Sequence, residues 1–420
     1  MCDSHIVKTT KKRKQYIFAC MCMGTVLACF AILVLRLDIK LISDGTTSQE
    51  IYTPVDLTAN VRVIMAGDHM LHSPLNRAAK TGDNTYDYTQ FLDEISQYID
   101  GDLNITDIEG PVDSFGDNKN ISSYPNFNYP IELLDALKFQ GFDFVITANN
   151  HAYDKGWTGL LAMREKLAIK ELEYLGTYAS QEEYDTPYIK EINGIKVGIS
   201  AWSALDNGIS FMVAGHEDYA MKKFNQDKLD DVPQMLEDIS ALRDAGAEVV
   251  LMALHWGAEY QDQPTNVQRQ ISQKLAEGGV DVIIGNHTHC VQPIEIYENE
   301  GKKTIVIYSL GNFFADQIDL STPIPKTQYG MLVSMEINRD KDGNISVDSA
   351  KYMPTFCYRD SSRPSTGGTS YRYILAPAGK YANMDAKPIG LSDKLWLESK
   401  KAWDHVRRVV GTDISVYDGL

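Results

Sequence analysis

Five times along this chain a strand-length apolar run breaks directly into a short polar loop. Each of those loops carries groups that bind cations or move protons. Residues 61–66 run into Gly67-Asp68-His69-Met70-Leu71-His72, and residues 103–105 into Thr106-Asp107-Ile108-Glu109-Gly110-Pro111. Residues 142–147 lead to Ala148-Asn149-Asn150-His151, and residues 249–254 to His255-Trp256-Gly257. Residues 282–284 lead to Gly285-Asn286-His287-Thr288-His289. Between these runs lie helical stretches near 130–139, 159–167, 229–244 and 266–277, and such alternation is the signature of an α/β fold. Open α/β sheets place their sites beyond the carboxyl ends of the strands, so the five loops are expected to converge. Six of the nine histidines lie in them; only His5, His216 and His405 do not.

Ligand chemistry narrows what such a site does. Its strand ends offer two carboxylates, an amide oxygen and several imidazoles, with no cysteine among them. That mix suits divalent Mn, Fe, Zn or Mg rather than a closed structural zinc. There are more ligands than one ion needs, which points to one or two ions, the pair roughly 3.5–4 Å apart and bridged by Asp68 or Glu109. His151 follows a ligand-type Asn and is placed to protonate a leaving group. Bland readings stand beside these. Glu109 before Gly110-Pro111 fits a turn cap, and His72 fits a cap or an exposed position. Asp154 and Lys155 before Gly156 fit a helix start. Trp256 and Tyr260 fit packing around the site. Ser309-Leu-Gly-Asn312 fits either a group orienting a ligand or a tight turn.

The wording of the loops resembles a known family. Gly67-Asp68, Asn150-His151, the lone His255 and Gly285-Asn-His-Thr-His289 are similar to the calcineurin-like metallophosphoesterases. Several longer phrases resemble their CapA-type branch, the poly-γ-glutamate capsule biosynthesis proteins. They are Gly67-Asp68-His-Met70, Asp107-Ile-Glu109-Gly-Pro111, Asn149-Asn-His151-Ala-Tyr-Asp154-Lys-Gly156, His255-Trp-Gly-Ala-Glu259-Tyr260 and Tyr308-Ser-Leu-Gly-Asn312-Phe. The resemblance spans residues 60 to 336. It implies a four-layer α/β/β/α metallophosphoesterase-like sandwich with metals at one edge. It assigns Asp68, Glu109, Asn150, His255, His287 and His289 to the metals and His151 to acid catalysis. His69, His72, Asn149, Asp154, Glu259 and Asn312 are candidates for an additional ligand or for support of the ligands. The broader superfamily begins Asp-x-His where this chain has Met70, and bridges with Asp where it has Glu109. One metal position is then a ligand short unless His69 or His72 supplies it.

The amino terminus predicts a location. Residues 16–35 form a 20-residue stretch without charge, long enough to cross a bilayer as a helix. Lys8, Lys11, Lys12, Arg13 and Lys14 precede it, so the positive-inside rule places residues 1–15 in the cytoplasm. The expected order is a basic tail (1–15), a transmembrane signal anchor (16–36), a tether (37–59), the CapA-like domain (60–358) and a C-terminal loop and helix of unassigned role (359–420). The domain would then lie outside the cell on a single-pass anchor. Asn193-Gly194 and residues 338–343 read as hairpin turns, so some strands are antiparallel.

Charge sets limits on partners. The tail's five cations and Asp3 amount to +4 of a total of −17, which leaves −21 on the rest of the chain. Such a surface repels nucleic acid, so no nucleic-acid partner is expected. A polyglutamate chain would have to approach through the field of the metals or through capsule synthase subunits. Of six cysteines, only Cys290 and Cys357 follow the apolar span, and both a pair and free thiols fit their positions. The expected function is a membrane-anchored metal-dependent hydrolase of capsule synthesis or export. The alternatives are a non-catalytic polymer-binding subunit, and an outward-facing phosphatase unrelated to capsule.

Overall fold

The computed structural model describes residues 58–317, 325–348, 350–388, 390–411 and 414–416. The basic tail, the expected span at 16–36 and nearly all of the tether lie outside the described residues. Among the described residues no helix is long and apolar enough to cross a membrane.

Along the chain come β1 (Ala59–Met70), a separate small hairpin of β2 (Lys80–Gly82) and β3 (Thr85–Tyr86), then β4 (Leu103–Ile108), β5 (Phe144–Ile146) and β6 (Glu173–Leu175). Next are β7 (Tyr188–Ile192), β8 (Ile195–Ser203), β9 (Val249–His255), β10 (Val282–Asn286), β11 (Ile294–Asn299) and β12 (Lys302–Ile307). Last are β13 (Asn312–Ala315), β14 (Tyr329–Arg339), β15 (Ile345–Val347), β16 (Lys351–Asp360), β17 (Arg372–Pro377) and β18 (Ser415–Val416). The first sheet runs β17-β16-β14-β1-β4-β5-β6, with β13 beside the end of β1. The second runs β11-β12-β10-β9-β8-β7. In each, the strands around the site are parallel: β1, β4, β5 and β6 in the first, β8, β9, β10 and β12 in the second. Both expected hairpins form. Asn193 and Gly194, at φ +50° and +81°, turn β7 into β8, and β14 turns back into β15.

Side-chain parity shows how the sheets stack. Val61, Val63 and Met65 of β1, Leu103 and Ile105 of β4, and Phe144 and Ile146 of β5 share one buried cluster with Val249, Leu251 and Ala253 of β9 and Val282 and Ile284 of β10. Ile64, Ala66 and Val145 point the other way, into a cluster with Leu133, Leu134 and Leu137 of the helix Glu132–Gln140. Val250, Met252, Leu254 and Ile283 point away from the first sheet. They pack on Met235 and Ile239 of the helix Val232–Asp244 and Ile271 and Leu275 of the helix Asn266–Glu277. The succession is helix, sheet, sheet, helix. Strands buried on both faces read as continuous apolar runs, which is how they stand in the sequence.

The C-terminal segment differs from expectation. β16 runs through the expected boundary at residue 358, and β17 pairs with it antiparallel, Cys357 opposite Leu375. The helix Asp393–Val410 lays Leu395, Ala402, Trp403 and Val406 against the inter-sheet core. Residues 372–377 hide a strand in a Ser-, Gly- and Arg-rich stretch because Tyr373, Ile374, Leu375 and Ala376 are buried on both faces and show no alternation. Cys290 and Cys357 are buried free thiols, so of the two readings the unpaired one holds.

Candidate metal centre

The parity that builds the inter-sheet core also aims the polar residues. In β4, Leu103 and Ile105 face the second sheet, and the same two-residue step carries Asp107 and then Glu109 onto that face beyond the apolar part. In β9 the series Val249, Leu251, Ala253 ends on His255. β10 ends at Asn286, and the chain then turns through His287 and His289, both left-handed at φ +97° and +58°. Such backbone costs a non-glycine residue about 1–3 kcal/mol and clusters at functional sites. Gly285 permits this crossing, since a Cβ there would lie 2.0 Å from the Tyr308 carbonyl oxygen.

β1 departs from strict alternation. Its pairing with β4 shifts register between Met65 and Asp68, and its pairing with β13 shifts between Asp68 and His69. An extra residue at such a bulge reverses the faces of all that follow. Asp68 is thereby turned into the gap between the sheets, where it accepts from the His287 amide at 3.4 Å. His69 is turned away from it. Its Nδ1 meets Thr106 Oγ1 at 2.9 Å, its Nε2 meets Gln140 Oε1 at 3.1 Å, and Phe142, Phe313 and Phe314 surround the ring. The expectation of His69 as the missing ligand is thus corrected: a bulge residue, invisible to a period-two count, points it into the opposite core.

The remaining candidates converge although they span 222 positions, from Asp68 to His289. Ligand-type atoms of Glu109, His255 and His287 lie within 4.8 Å of one another, as do those of Asp68, Asp107 and His255, and those of Asp68, Glu109 and His289. Asn150 Oδ1 stands 2.7 Å from His255 Nε2, and His287 Nδ1 stands 3.2 Å from the same nitrogen. Glu109 Oε1 lies 3.9 Å from His255 Nε2, and Glu109 Oε2 lies 3.7 Å from His289 Nδ1. His151 directs Nδ1 to Asp154 Oδ2 at 2.8 Å, while its Nε2 is 3.9 Å from Glu109 Oε1. Asp154 Oδ2 also accepts from the Phe127 amide at 2.6 Å, and the Phe127 ring packs on His151.

The supporting candidates divide. Asn312 Oδ1 meets His289 Nδ1 at 3.1 Å and its amide donates to the Thr327 carbonyl, so it holds that ring in place. Asn149 donates to Asp107 Oδ1 and the Ile108 carbonyl, at 3.1 and 2.8 Å. His72 is half-buried with its enclosed Nδ1 unpartnered, its ring against Phe127. Glu259 is exposed at the rim beside the Tyr260 hydroxyl. Asp107 was passed over in the sequence, although it stands two residues before Glu109 in a strand, the spacing that puts both on one face. Asn207 was also missed; its loop follows β8, and only the fold brings its amide to Asn150.

Electrostatics set the chemical demand. Asp68 Oδ1, Asp107 Oδ2, both oxygens of Glu109 and His255 Nδ1 are buried without a hydrogen-bond partner. Burial pushes the Asp68 carboxyl up to about 7, and burial plus the neighbouring carboxylates push Asp107 and Glu109 well above the usual range. Burial holds the His287 imidazole down at about 4, and burial with neighbouring imidazoles holds His255 and His289 well below the ordinary value. Three costly acids and three neutral imidazoles with free lone pairs form the donor set of hard and borderline divalent cations. The residues present therefore fit one.

Residues 62–317 match the family described as "Bacterial capsule synthesis protein PGA_cap". The chain belongs to that family. Among its relatives it is similar to "PGA biosynthesis protein CapA" of Bacillus subtilis, 25% identical over 291 residues that cover 68% of this chain and 70% of that one. It is similar too to "Capsule biosynthesis protein CapA" of Bacillus anthracis, 27% identical over 321 residues, 74% of this chain and 71% of that one. Solved structures similar to this family member include the NAD nucleotidase of Haemophilus influenzae. That likeness has 13% identity and a TM-score of 0.40, and covers 86% of this chain and 64% of the nucleotidase. A purple acid phosphatase from yellow lupin seeds matches at 12% identity and a TM-score of 0.33, over 76% of this chain and 54% of the phosphatase.

Proposed function

We propose that this protein is a membrane-anchored member of the poly-γ-glutamate capsule synthesis machinery whose extracellular domain is a four-layer metallophosphoesterase-type sandwich carrying a divalent-metal hydrolase site. The observation that carries the reading is the set of buried, unpartnered carboxylate oxygens of Asp68, Asp107 and Glu109 facing the imidazoles of His255, His287 and His289. Buried charge of this kind is normally paired or bound to metal. Asp68, Glu109, Asn150, His255, His287 and His289 would hold one or two ions of Mn, Fe or Zn, with Asp107 as a further ligand. When bound, the metal supplies positive charge and Lewis acidity to a phosphoryl or carbonyl oxygen.

The chain's own residues supply the rest. Asp154 accepts from His151 Nδ1 and orients the ring, so that in the imidazolium form, protonated on both nitrogens, Nε2 at the cleft is the atom that passes a proton to the leaving group. Asn312 fixes the His289 ring. Phe127, packed edge-on against His151, shields that proton from bulk water. Polyglutamate and the synthase subunits are the partners this reading implies, with the anchor at residues 16–36 holding the domain at the outer face of the membrane.

The test combines metal analysis of the full-length protein with turnover of p-nitrophenyl phosphate. His151→Ala should lower turnover about 10²–10⁴-fold with metal content unchanged, and His289→Ala should lower both. Metal bound without turnover of phosphoesters or of γ-linked glutamyl peptides would turn the reading to a polymer-binding subunit. Metal lost from His151→Ala would make that residue a ligand.

A further inference from the structure

Asn207 lies outside every motif of the site and yet uses both ends of its amide on it. The residue follows β8, where Ala204 donates to the His255 carbonyl at 2.9 Å, so the loop is rooted on the strand end that presents His255. Asp206 then accepts from the Gly208 amide at 3.0 Å and pairs with Lys223 at 3.2 Å, which pins the turn on both sides of Asn207. Asn207 is left-handed at φ +52°, a conformation that asparagine tolerates better than most residues. Its side chain crosses to the turn after β5. The Asn207 Oδ1 accepts from Asn150 Nδ2 at 3.3 Å, and Asn207 Nδ2 stands 3.5 Å from both ring nitrogens of His151. A group equidistant from both nitrogens lies at the ring rather than along either lone pair, so His151 keeps Nδ1 for Asp154 and Nε2 for the cleft.

The consequence falls on Asn150. A primary amide has an oxygen end and a nitrogen end of nearly equal shape, and only the oxygen binds a cation. With Nδ2 held by Asn207, Oδ1 is the end turned to His255 Nε2 and the cavity. We infer that Asn207 is a positioning residue of the metal centre, holding the Asn150 amide so that its oxygen rather than its nitrogen faces the ion. This rests on the metal-site reading above. It differs from a structural role because its effect must vanish when the group at 150 has two equivalent ends.

The experiment is a double-mutant cycle on the metal-depleted full chain, titrated with Co²⁺ and followed by calorimetry and by the visible absorption of the ion. Asn207→Ala should weaken Co²⁺ binding about 10-fold or more, the usual cost of losing a group that orients a ligand. In the Asn150→Asp background the same substitution should cost less than about 2-fold, because a carboxylate offers oxygen whichever way it turns. The thermal midpoint of the metal-free protein should be the same with and without Asn207→Ala, since Asn207 is exposed. An equal penalty in both backgrounds, or none in either, overturns the inference and leaves the metal reading standing. No Co²⁺ binding by the unaltered chain overturns the metal reading itself.

Discussion

A carboxyl group taken out of water without a donor is costly, and this cavity holds three within reach of one another. Burial favours the neutral form of each group: Asp68 is held to about 7 instead of 3.8, while His287 is held to about 4 instead of 6.5. The two act in opposite directions on stability. The contribution of Asp68 is full below 3.8 and lost as pH rises through about 7, where the folded acid must finally ionise. That of His287 is full above 6.5 and lost as pH falls through about 4. A bound cation needs ionised acids, so it must displace protons below about 7. Added Mn²⁺ should therefore raise the thermal midpoint more at about pH 8 than at about pH 5.5, and its affinity should fall about tenfold per pH unit for each proton displaced. A stabilisation independent of pH would contradict the carboxylate ligands. Single residues separate site from scaffold in the same way. His69→Leu should cost about 1–3 kcal/mol of stability by stranding Gln140 Oε1, while Thr106 keeps its bond to the Gly67 carbonyl. Metal analysis of that variant should still find the ion, whereas His289→Ala should be depleted.

Among elements, the bulge in β1 decides most. Gly67 packs so closely on the turn leading into β13 that a Cβ would come 1.8 Å from the Gly311 carbonyl oxygen. Gly67→Ala must push the strands apart just where Asp68 is turned inward. Both the folding stability and the metal affinity should drop, the former by about 1–3 kcal/mol or more in denaturant titration. Retained affinity would mean that Asp68 does not depend on the bulge. This element also marks the limit of what the sequence reveals. Asp68, Glu109, Asn150, His255, His287 and His289 were legible because each ends an apolar strand, and strand ends of one α/β fold must meet. Asp107 is legible by period two from Glu109. His69 was not legible, because its direction depends on a register shift set by β4 and β13, partners far away in sequence. Asn207 was hidden for a similar reason: its role depends on what stands across the cleft. The strand at 372–377 lacked the alternation that marks a half-buried strand.

For the molecule as a whole, the C-terminal helix is a structural part and not an appendage. Trp403, Val406 and Val409 belong to the same core cluster as the strands of both sheets. A chain ending at residue 391 should expose that surface, bind hydrophobic dyes and aggregate, which size-exclusion chromatography would detect. A monodisperse, metal-binding truncation would restore the boundary near residue 358. Cys290 and Cys357 are buried in different surroundings, so thiol reagents should label neither until denaturant is added.

The site also has a direction in time. Its acids, together with Asn150 and His151, come from residues 68–154, and its other three imidazoles from residues 255–289. As the chain leaves the ribosome, the acidic half is complete while the imidazole half has yet to be made. A segment ending after β6 holds carboxylates and one proton carrier but cannot assemble a nitrogen-rich cage. Ion capture can therefore begin only after residue 289 has emerged and the second sheet has docked, so the bound ion becomes a stamp on finished molecules. Chains arrested before that residue should emerge empty however much Mn²⁺ surrounds them.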